Sequence, residues 1–390
     1  MSGRTDSISI LGAAEELSAV FAERAARFDI ESVFPAENYD DLHAAGITAI
    51  TVPTSYGGLG ANWELYLEVM GALARGCAST ALAFNMHCTI VRFLDRFADD
   101  EQKRRVFAAV TEEGALLASI TSEPQSTLRG GRLQMKTRAR RTADGWVVSG
   151  RKHFCSLSTG ARWFYTWCVD DRAKGLDALR TLLVPADAAG VEVHDDWDTL
   201  AMRATASNSI TFHDVSVPAA NEVPGSAELF RSGLLDSFVP GYGAIYTAIA
   251  EAAYRFCVEF VRSTVFEPDD RPISEYPVVQ RQVAEMATLI EASRGLVRRA
   301  GRIADDGALI RRRDRAVAFH QSKLFAAQTA RSVTQTALEA CGGRALSRRL
   351  PLERYLRDAQ AGPVMGPALD TSRELIGQLE LGVQPRLQRG

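Results

Sequence analysis

The sequence predicts an α+β protein, mostly α, in which one β domain separates two helical regions. Apolar residues recur three or four positions apart through much of residues 1–118 and 227–390, which is the spacing of amphipathic helices. Residues 119–226 instead contain short segments rich in aromatic and β-branched residues, separated by turn signals such as Asp144-Gly145. The predicted order is therefore an N-terminal helical domain, a central β domain and a C-terminal helical bundle.

The amino-acid composition bears on the ligands, the cysteine chemistry and the location that can be expected of this protein. The 390 residues are 46% hydrophobic and 24% charged, and the formal net charge is −3, so no basic surplus indicates binding to nucleic acid or to an anionic membrane. The six cysteines show neither CxxC spacing nor metal-ligand spacing with histidine, which predicts reduced thiols, no metal site and a cytoplasmic protein. The sequence contains no signal-peptide run and no apolar stretch of about 18 residues, so we expect no membrane span.

Five helices are predicted in the N-terminal region. They cover residues 11–28, 38–45, 63–74, 80–97 and 100–109. The fourth is apolar on most sides, so we expect it to be buried, and it carries His87. A loop that contains one proline and three glycines separates the second helix from the third.

The central region is predicted to hold strands at residues 146–148, 163–169, 179–184, 191–193 and 209–217, and a further strand that carries Phe154 and Ser156. Alternate residues of a strand share a face, so this aromatic ring and this hydroxyl would point the same way. Such a pair suits a planar heteroaromatic ligand, because the ring can stack and the hydroxyl can hydrogen-bond to a ring nitrogen or oxygen. A core phenylalanine beside an edge serine is the alternative.

The C-terminal region is predicted to be helical throughout. Three long helices cover residues 242–266, 279–303 and 311–340, and two shorter ones cover 352–360 and 370–381. Gly342-Gly343 follows the third helix, where glycine is expected just past a helix end. Long neighbouring helices joined by short loops predict a bundle.

Several segments, taken together and in this order, resemble the acyl-CoA dehydrogenase superfamily of flavoproteins. They are PTSYGG at 53–58, SEP at 122–124, KHFCS at 152–156, MRATAS at 202–207, FHDVSVP at 212–218, the Gly342-Gly343 pair and PLERYLRDA at 351–359. The resemblance covers nearly the whole chain. It implies a helical domain (1–118), a central β-barrel-like domain (119–226) and a C-terminal four-helix bundle (227–390). FAD would lie between the last two.

The resemblance also implies site residues. Thr121 and Ser122 would contact the flavin ring, Phe154 would stack on it, and Ser156 would hydrogen-bond near N5, the atom that receives hydride. The family forms dimers or tetramers, so we expect a homodimer or a homotetramer. In it, Gly342 and Gly343 would let the backbone approach the diphosphate of the neighbouring subunit's FAD; a plain helix cap is the alternative.

One departure from the family pattern bears directly on function. The usual dehydrogenase has a catalytic glutamate shortly after its Arg-Asp-Ala motif, and by count from Arg357 that position is Gly366, which offers no base. Some members carry the glutamate at the start of the first bundle helix, and Asp236 lies near there. A charge that interacts with the helix dipole is the alternative reading of Asp236.

These residues leave three hypotheses open. The first is a FAD-dependent oxidoreductase acting on an acyl thioester of CoA or a carrier protein. It would work either by dehydrogenation with Asp236 as base, or by an O₂-using reaction that needs a dry pocket, with Ser156 beside the flavin and His87 as a pocket acid or base. A hydrogen-bonded core histidine is the alternative for His87. The second is a flavin monooxygenase for a non-thioester aromatic or amine substrate, supplied by a flavin reductase. The third is a non-enzymatic descendant that keeps the fold. For the first hypothesis, the acyl-thioester oxidoreductase, an electron-transfer partner is a further expectation.

Overall fold

The computed structural model describes residues 2–123, 135–306 and 311–383, and the architecture has the predicted order. Five helices form the N-terminal region, and several of their boundaries are set by local chemistry. Asn62 accepts a hydrogen bond from the Leu65 N–H at 3.0 Å and begins the third helix, and Asp99 and Gln102 form a capping box at the start of the fifth. The helices are α1 (Ser2–Glu31), α2 (Ala36–Ala44), α3 (Trp63–Gly76), α4 (Ala78–Phe97) and α5 (Asp100–Glu113).

The central region is a mainly antiparallel sheet of eight strands. Its path runs β6-β7-β3-β2-β4-β5-β8, and β1 pairs in parallel with β4. In β3, Trp146 and Val148 are buried and lie opposite Val217 and Val215 of β7. The strands are β1 (Leu117–Ile120), β2 (Arg138–Arg141), β3 (Gly145–Lys152), β4 (Trp163–Asp170), β5 (Leu179–Pro185), β6 (Val191–Val193), β7 (Ile210–Pro218) and β8 (Glu222–Val223).

The C-terminal region is a bundle whose long helices pack on one another. The helix α7 (Val239–Ser263) contacts α9 (Arg312–Cys341) most extensively. The helices α8 (Pro277–Asp305) and α10 (Leu352–Ala359) also pack on α9. The helix α7 was predicted to reach residue 266 but ends at Ser263, because the next residues form a small hairpin in which Val265 pairs with Pro272. The elements are α6 (Ser226–Arg231), α7 (Val239–Ser263), β9 (Val265–Phe266), β10 (Arg271–Pro272), α8 (Pro277–Asp305), α9 (Arg312–Cys341), α10 (Leu352–Ala359), α11 (Ala361–Val364) and α12 (Leu369–Glu380).

The two helical regions are in close contact through α4 and α7. A Cβ atom placed on Gly241 of α7 would lie 1.9 Å from Oδ1 of Asn85 on α4, so only glycine allows this approach. α3 packs against α1, α7 and α8. The largest apolar cluster therefore includes residues of both helical regions and of the sheet, such as Phe84, Ile245 and Phe164. Among the described residues, no helix combines the length and apolar character needed to cross a membrane.

Residues 357 and 358 of α10 join the three regions. The guanidinium of Arg357 donates to both carboxylate oxygens of Asp29 on α1, at 3.0 and 2.6 Å, and to the Leu200 carbonyl at 3.1 Å. The Asp358 carboxylate accepts the Met202 N–H at 2.7 Å. Asp358 is buried, and burial raises the pKa of its carboxyl to about 6 although that N–H and nearby arginines favour the charged form. Arg357 and Asp358, which belong to the segment 351–359, therefore hold the C-terminal region to the N-terminal and central regions.

We predict that Asp358→Asn removes one component of the pH dependence of stability. Because the folded-state pKa lies above the ordinary value near 4, the carboxyl's stabilising contribution is fully present below pH 4 and is lost as pH rises through about 6. Between pH 4.5 and 7.5 the wild type should lose about 2 kcal/mol of unfolding free energy through this group. The amide oxygen of Asn can still accept the Met202 N–H. Urea unfolding at both pH values measures the difference, and equal pH slopes in the two proteins would contradict the prediction.

Candidate active site

The segment Thr121–Glu123 is fixed by a buried ion pair. Lys152 at the end of β3 donates to Glu123 Oε1 at 2.7 Å, and both side chains are fully buried. The Glu123 carboxylate also accepts the Thr137 N–H at 3.0 Å and the Lys136 N–H. Burial raises the pKa of the Glu123 carboxyl, but the Lys152 charge and these hydrogen bonds outweigh burial, so the pKa is lowered. Glu123 is therefore held as a carboxylate.

This ion pair places the hydroxyl residues beside the segment that carries Phe154. The Lys152 ammonium also donates to the Thr121 carbonyl at 3.3 Å, and the His153 N–H donates to the Ser122 carbonyl at 2.9 Å. Ser122 is exposed and Thr121 is partly buried. Thr121 and Ser122 thus lie beside the start of the 153–156 segment, and their contact with a flavin ring stays a prediction. Pro124 of the same motif lies outside the described residues.

The prediction that Phe154 and Ser156 share one face of a strand is wrong. β3 ends at Lys152, and Phe154 has φ = 56°, in the left-handed region that is rare for a bulky residue. The chain leaves the ladder because its N–H groups bond to another loop instead: that of Cys155 donates to the Asn208 carbonyl and that of Leu157 to the Thr205 carbonyl. Irregular backbone of this kind concentrates at functional sites.

The Phe154 ring and the Ser156 hydroxyl differ in their exposure to solvent. The Phe154 side chain is 68% exposed, and its ring meets Trp197 edge-to-face with centroids 6.0 Å apart. An exposed ring of this size on an ordered loop is available for stacking. Ser156, two residues later, is mostly buried. The alternative reading, a core phenylalanine beside an edge serine, does not describe this arrangement.

A chain of hydroxyl groups determines what Ser156 can offer a ligand. The Thr205 hydroxyl donates to the Met202 carbonyl at 2.9 Å and lies 2.7 Å from the Ser207 oxygen, which lies 2.8 Å from the Ser156 oxygen. Each hydroxyl has a single hydrogen. With the Thr205 hydrogen used, Ser207 donates to Thr205 and Ser156 donates to Ser207. The Ser156 oxygen therefore keeps lone pairs that can accept from an N–H of a bound ring.

His87 is buried in α4 and both of its ring nitrogens are engaged. Nε2 lies 3.1 Å from the Thr48 carbonyl, and Nδ1 accepts the Leu117 N–H at 3.1 Å. An imidazole that donates from Nε2 and accepts at Nδ1 is neutral, and burial lowers the pKa of His87 to about 4. The geometry argues against a pocket acid or base and fits the alternative of a hydrogen-bonded core histidine, which joins α4 to β1.

Asp236 lies in a single 3₁₀ turn, Leu234–Phe238, just before α7. Its side chain is 31% exposed, and Oδ1 lies 3.5 Å from Nε2 of His320 on α9. The other ring nitrogen of that histidine lies 3.0 Å from the Ser372 hydroxyl of α12. Among the described residues, the side-chain contact of Asp236 is with His320. The structure thus does not join Asp236 to Phe154 or Ser156, and its role as a base stays a prediction.

The position predicted by count from Arg357 to match the family's glutamate is open. Gly366 is exposed, and a Cβ built on it would meet no heavy atom of the described residues within 4 Å. Before it, Met365 contacts the Tyr246 hydroxyl, with the sulfur 3.9 Å from the oxygen, and the Tyr242 hydroxyl lies 3.5 Å from the sulfur of Met86 on α4. Apolar and thioether groups therefore lie near the open position.

Gly342 has a backbone conformation that only glycine adopts readily, with φ = 73° and ψ = −172°. Its N–H bonds to the Leu338 carbonyl at 2.9 Å, so it caps α9 as predicted. A Cβ on Gly342 or Gly343 would meet no heavy atom of the described residues within 4 Å. The close approach of a partner subunit's cofactor to these two glycines stays a prediction.

These groups fit a flavin. The Phe154 ring is open for stacking, Ser156 supplies lone pairs, and Thr121 and Ser122 border the same segment. Two buried lysines, Lys152 and Lys323, were not singled out from the sequence. For Lys323 the signal is a single charged residue within a largely apolar, buried stretch of α9, whereas Lys152 follows Arg151 and carries no such signal.

Profiles of three domains match the chain: the N-terminal domain of acyl-CoA dehydrogenases at residues 12–113, the middle domain at 118–215 and the C-terminal domain at 239–379. The YdbM protein of Bacillus subtilis (strain 168) is 30% identical over 357 residues, which are 90% of each chain. The dibenzothiophene monooxygenase of Rhodococcus erythropolis is 27% identical over 349 residues, 84% of this chain and 82% of the relative. FMN-bound TdsC from Paenibacillus sp. A11-2 has the same fold, with a TM-score of 0.89, 24% identity and coverage of 98% and 100%.

We predict that Lys152→Met destabilises the protein by about 3–5 kcal/mol, because it leaves the Glu123 carboxylate buried without its cation. The double variant Glu123→Gln/Lys152→Met should recover part of this loss, since it holds no buried charge and the amide oxygen can still accept one of the two backbone N–H groups. Chemical denaturation followed by circular dichroism measures both. Arg162→Met is the control, because it breaks the exposed pair with Glu113 and should cost less than about 1 kcal/mol. A double variant less stable than Lys152→Met would count against the argument.

Proposed function

Because the chain belongs to the acyl-CoA dehydrogenase family, whose members are flavin-dependent oxidoreductases, we propose that it oxidises an acyl thioester of CoA or a carrier protein by an O₂-using reaction. The observation that carries the proposal is the open glycine at the family's base position. The chain is an enzyme of flavin-dependent redox chemistry, and its cofactor is a flavin, for which FAD is typical of the family.

A bound flavin, reduced by an external donor such as a flavin reductase, would supply the centre that reacts with O₂, with one oxygen atom entering the substrate and the other leaving as water. The chain's own residues would hold and shield the flavin. Phe154 would stack on one face of the ring, Thr121 and Ser122 would border it, and the Ser156 oxygen would accept the N–H that N5 carries once the ring is reduced. Gly366 cannot remove a proton from the carbon α to a thioester carbonyl. The apolar residues Met86, Tyr242 and Met365 would limit the access of water.

Two other functions have specific support. Dehydrogenation with Asp236 as base is favoured by its partly exposed carboxylate at the entry of α7. A flavin monooxygenase for a non-thioester substrate, supplied by a flavin reductase, is favoured by the dibenzothiophene monooxygenase relative. For all three we propose a homodimer or homotetramer in which Gly342 and Gly343 face the neighbouring subunit's cofactor. An electron-transfer partner would accompany the dehydrogenase. Flavin that co-purifies tightly and in equal amount would weigh against the reductase-supplied enzyme.

The decisive experiment mixes the purified flavin-containing protein with acyl-CoA in the absence of oxygen. We expect the flavin absorbance near 450 nm to persist, because no base is present at residue 366 to start dehydrogenation. Reduced enzyme given O₂ and the thioester should then incorporate one oxygen atom into the product, measured by mass spectrometry with ¹⁸O₂. Rapid loss of the flavin absorbance with the thioester alone would support dehydrogenation. If Asp236→Asn no longer showed this reaction, Asp236 would be identified as the base.

Gly366→Glu should introduce acyl-CoA dehydrogenase activity. The residue has room for a side chain and lies where the family carries its carboxylate. We expect anaerobic bleaching at least tenfold faster than in the wild type. Gly377→Glu is the matched control, because it adds the same charge on α12 at a position equally free of neighbours among the described residues. Equal bleaching rates in both variants would remove the support that residue 366 gives to the proposal.

A further inference from the structure

Lys323 of α9 is a buried cation that the proposed function leaves unused. Its side chain has no exposed surface, and its ammonium donates to the Met365 carbonyl at 2.6 Å and to the Pro367 carbonyl. The nearest ring is that of Tyr242, whose centroid lies 5.8 Å from the ammonium. Among the described residues, no carboxylate lies within ion-pair distance of Lys323. A buried charge compensated by main-chain oxygens alone is costly, and such groups are retained where they serve a purpose.

Those two carbonyls flank Gly366, the position without a base. Met365 precedes it and Pro367 follows it, so one ammonium holds the main chain on both sides of the open residue. The remainder of the loop is fixed at its ends. A Cβ on Gly362 would lie 2.9 Å from that of Ala327, which shows how closely α11 packs on α9, and the Ser372 hydroxyl bonds to His320. Main-chain bonds hold the two ends of the stretch 365–368, from the Met365 N–H to the Ala361 carbonyl and from the Ser372 N–H to the Ala368 carbonyl, and Lys323 binds the two carbonyls between them.

We propose that Lys323 is a positioning residue that fixes the loop Met365–Ala368 and thereby sets where the main chain at Gly366 faces the candidate site. A charged donor to two carbonyls gives stronger and more directional bonds than a neutral one. Burial lowers the pKa of Lys323 to about 7, while the two carbonyl oxygens favour its charged form, so the loop and the ammonium stabilise each other. This inference concerns the chain alone and does not rest on the flavin chemistry proposed above.

The test compares Lys323→Met, which keeps the length without donors, with Lys323→Gln, whose amide can still donate to one carbonyl. Hydrogen exchange measured by mass spectrometry on the flavin-containing protein should show at least tenfold faster exchange in the peptide covering residues 362–369 for Lys323→Met. The rise should be smaller for Lys323→Gln. Peptides of β4 and β5 should be unchanged in both. Lys174→Met, the same change at an exposed lysine, is the control.

A loop as protected in Lys323→Met as in the wild type would overturn the proposal, and so would equal loss of protection in every peptide. If Lys323→Met does not fold, the comparison of Lys323→Gln with Lys174→Met decides by the same criterion. A second readout combines Lys323→Met with Gly366→Glu, and the dehydrogenase activity gained by the glutamate should fall at least tenfold. Exchange results hold even when no variant shows activity, so failure of this inference and failure of the proposed function give different results.

Discussion

The candidate site depends on the buried ion pair between Glu123 and Lys152. Two charges taken out of water must satisfy each other, and the remaining oxygens and N–H groups of this pair are satisfied by main-chain partners at 121, 136 and 137. The pair therefore connects the segment after β1 to the end of β3 and to the chain entering β2. Phe154 begins its irregular course two residues beyond Lys152, so the ring is displayed from a fixed point.

Not every residue of a family motif takes part in the reaction, and some hold the domains together. In residues 357–359, Arg357 and Asp358 hold α10 to α1 and to the loop after β6, so their role is to keep three regions in one arrangement. The hydroxyl chain from Thr205 to Ser156 begins at the Met202 carbonyl, and the Met202 N–H is bound by Asp358. The geometry of Ser156, which we propose as a cofactor contact, is thus tied to a contact in another domain.

Helical periodicity and the change to β patterning predicted the three-part order and most helices, because amphipathic spacing reports burial directly. The same pattern could not predict that β3 ends at Lys152, since the cause is a set of hydrogen bonds to a loop that is distant in sequence. Main-chain groups of Thr205 and Asn208, fifty residues away in sequence, accept the N–H groups that a longer strand would have used. His87 was equally ambiguous, because sequence shows a histidine in a buried helix but not whether its nitrogens face protein or a pocket. The ion pair at Lys152 required knowledge of which buried polar residues meet.

An active-site position can lose its side chain without losing its place in the fold if the main chain around it is held independently. At Gly366, which we propose as the counterpart of the family's base position, the carbonyls on both sides are bound by Lys323, and a Cβ would meet no heavy atom of the described residues within 4 Å. Under that proposal, glycine in place of a carboxylate removes a base and leaves space, while the Met365 and Pro367 carbonyls keep their hydrogen bonds to Lys323. The same fold can then serve chemistry that needs a proton acceptor and chemistry that needs only a dry, shaped cavity. Separation of the scaffold from the reacting side chain is the physical condition that allows a family to divide in this way.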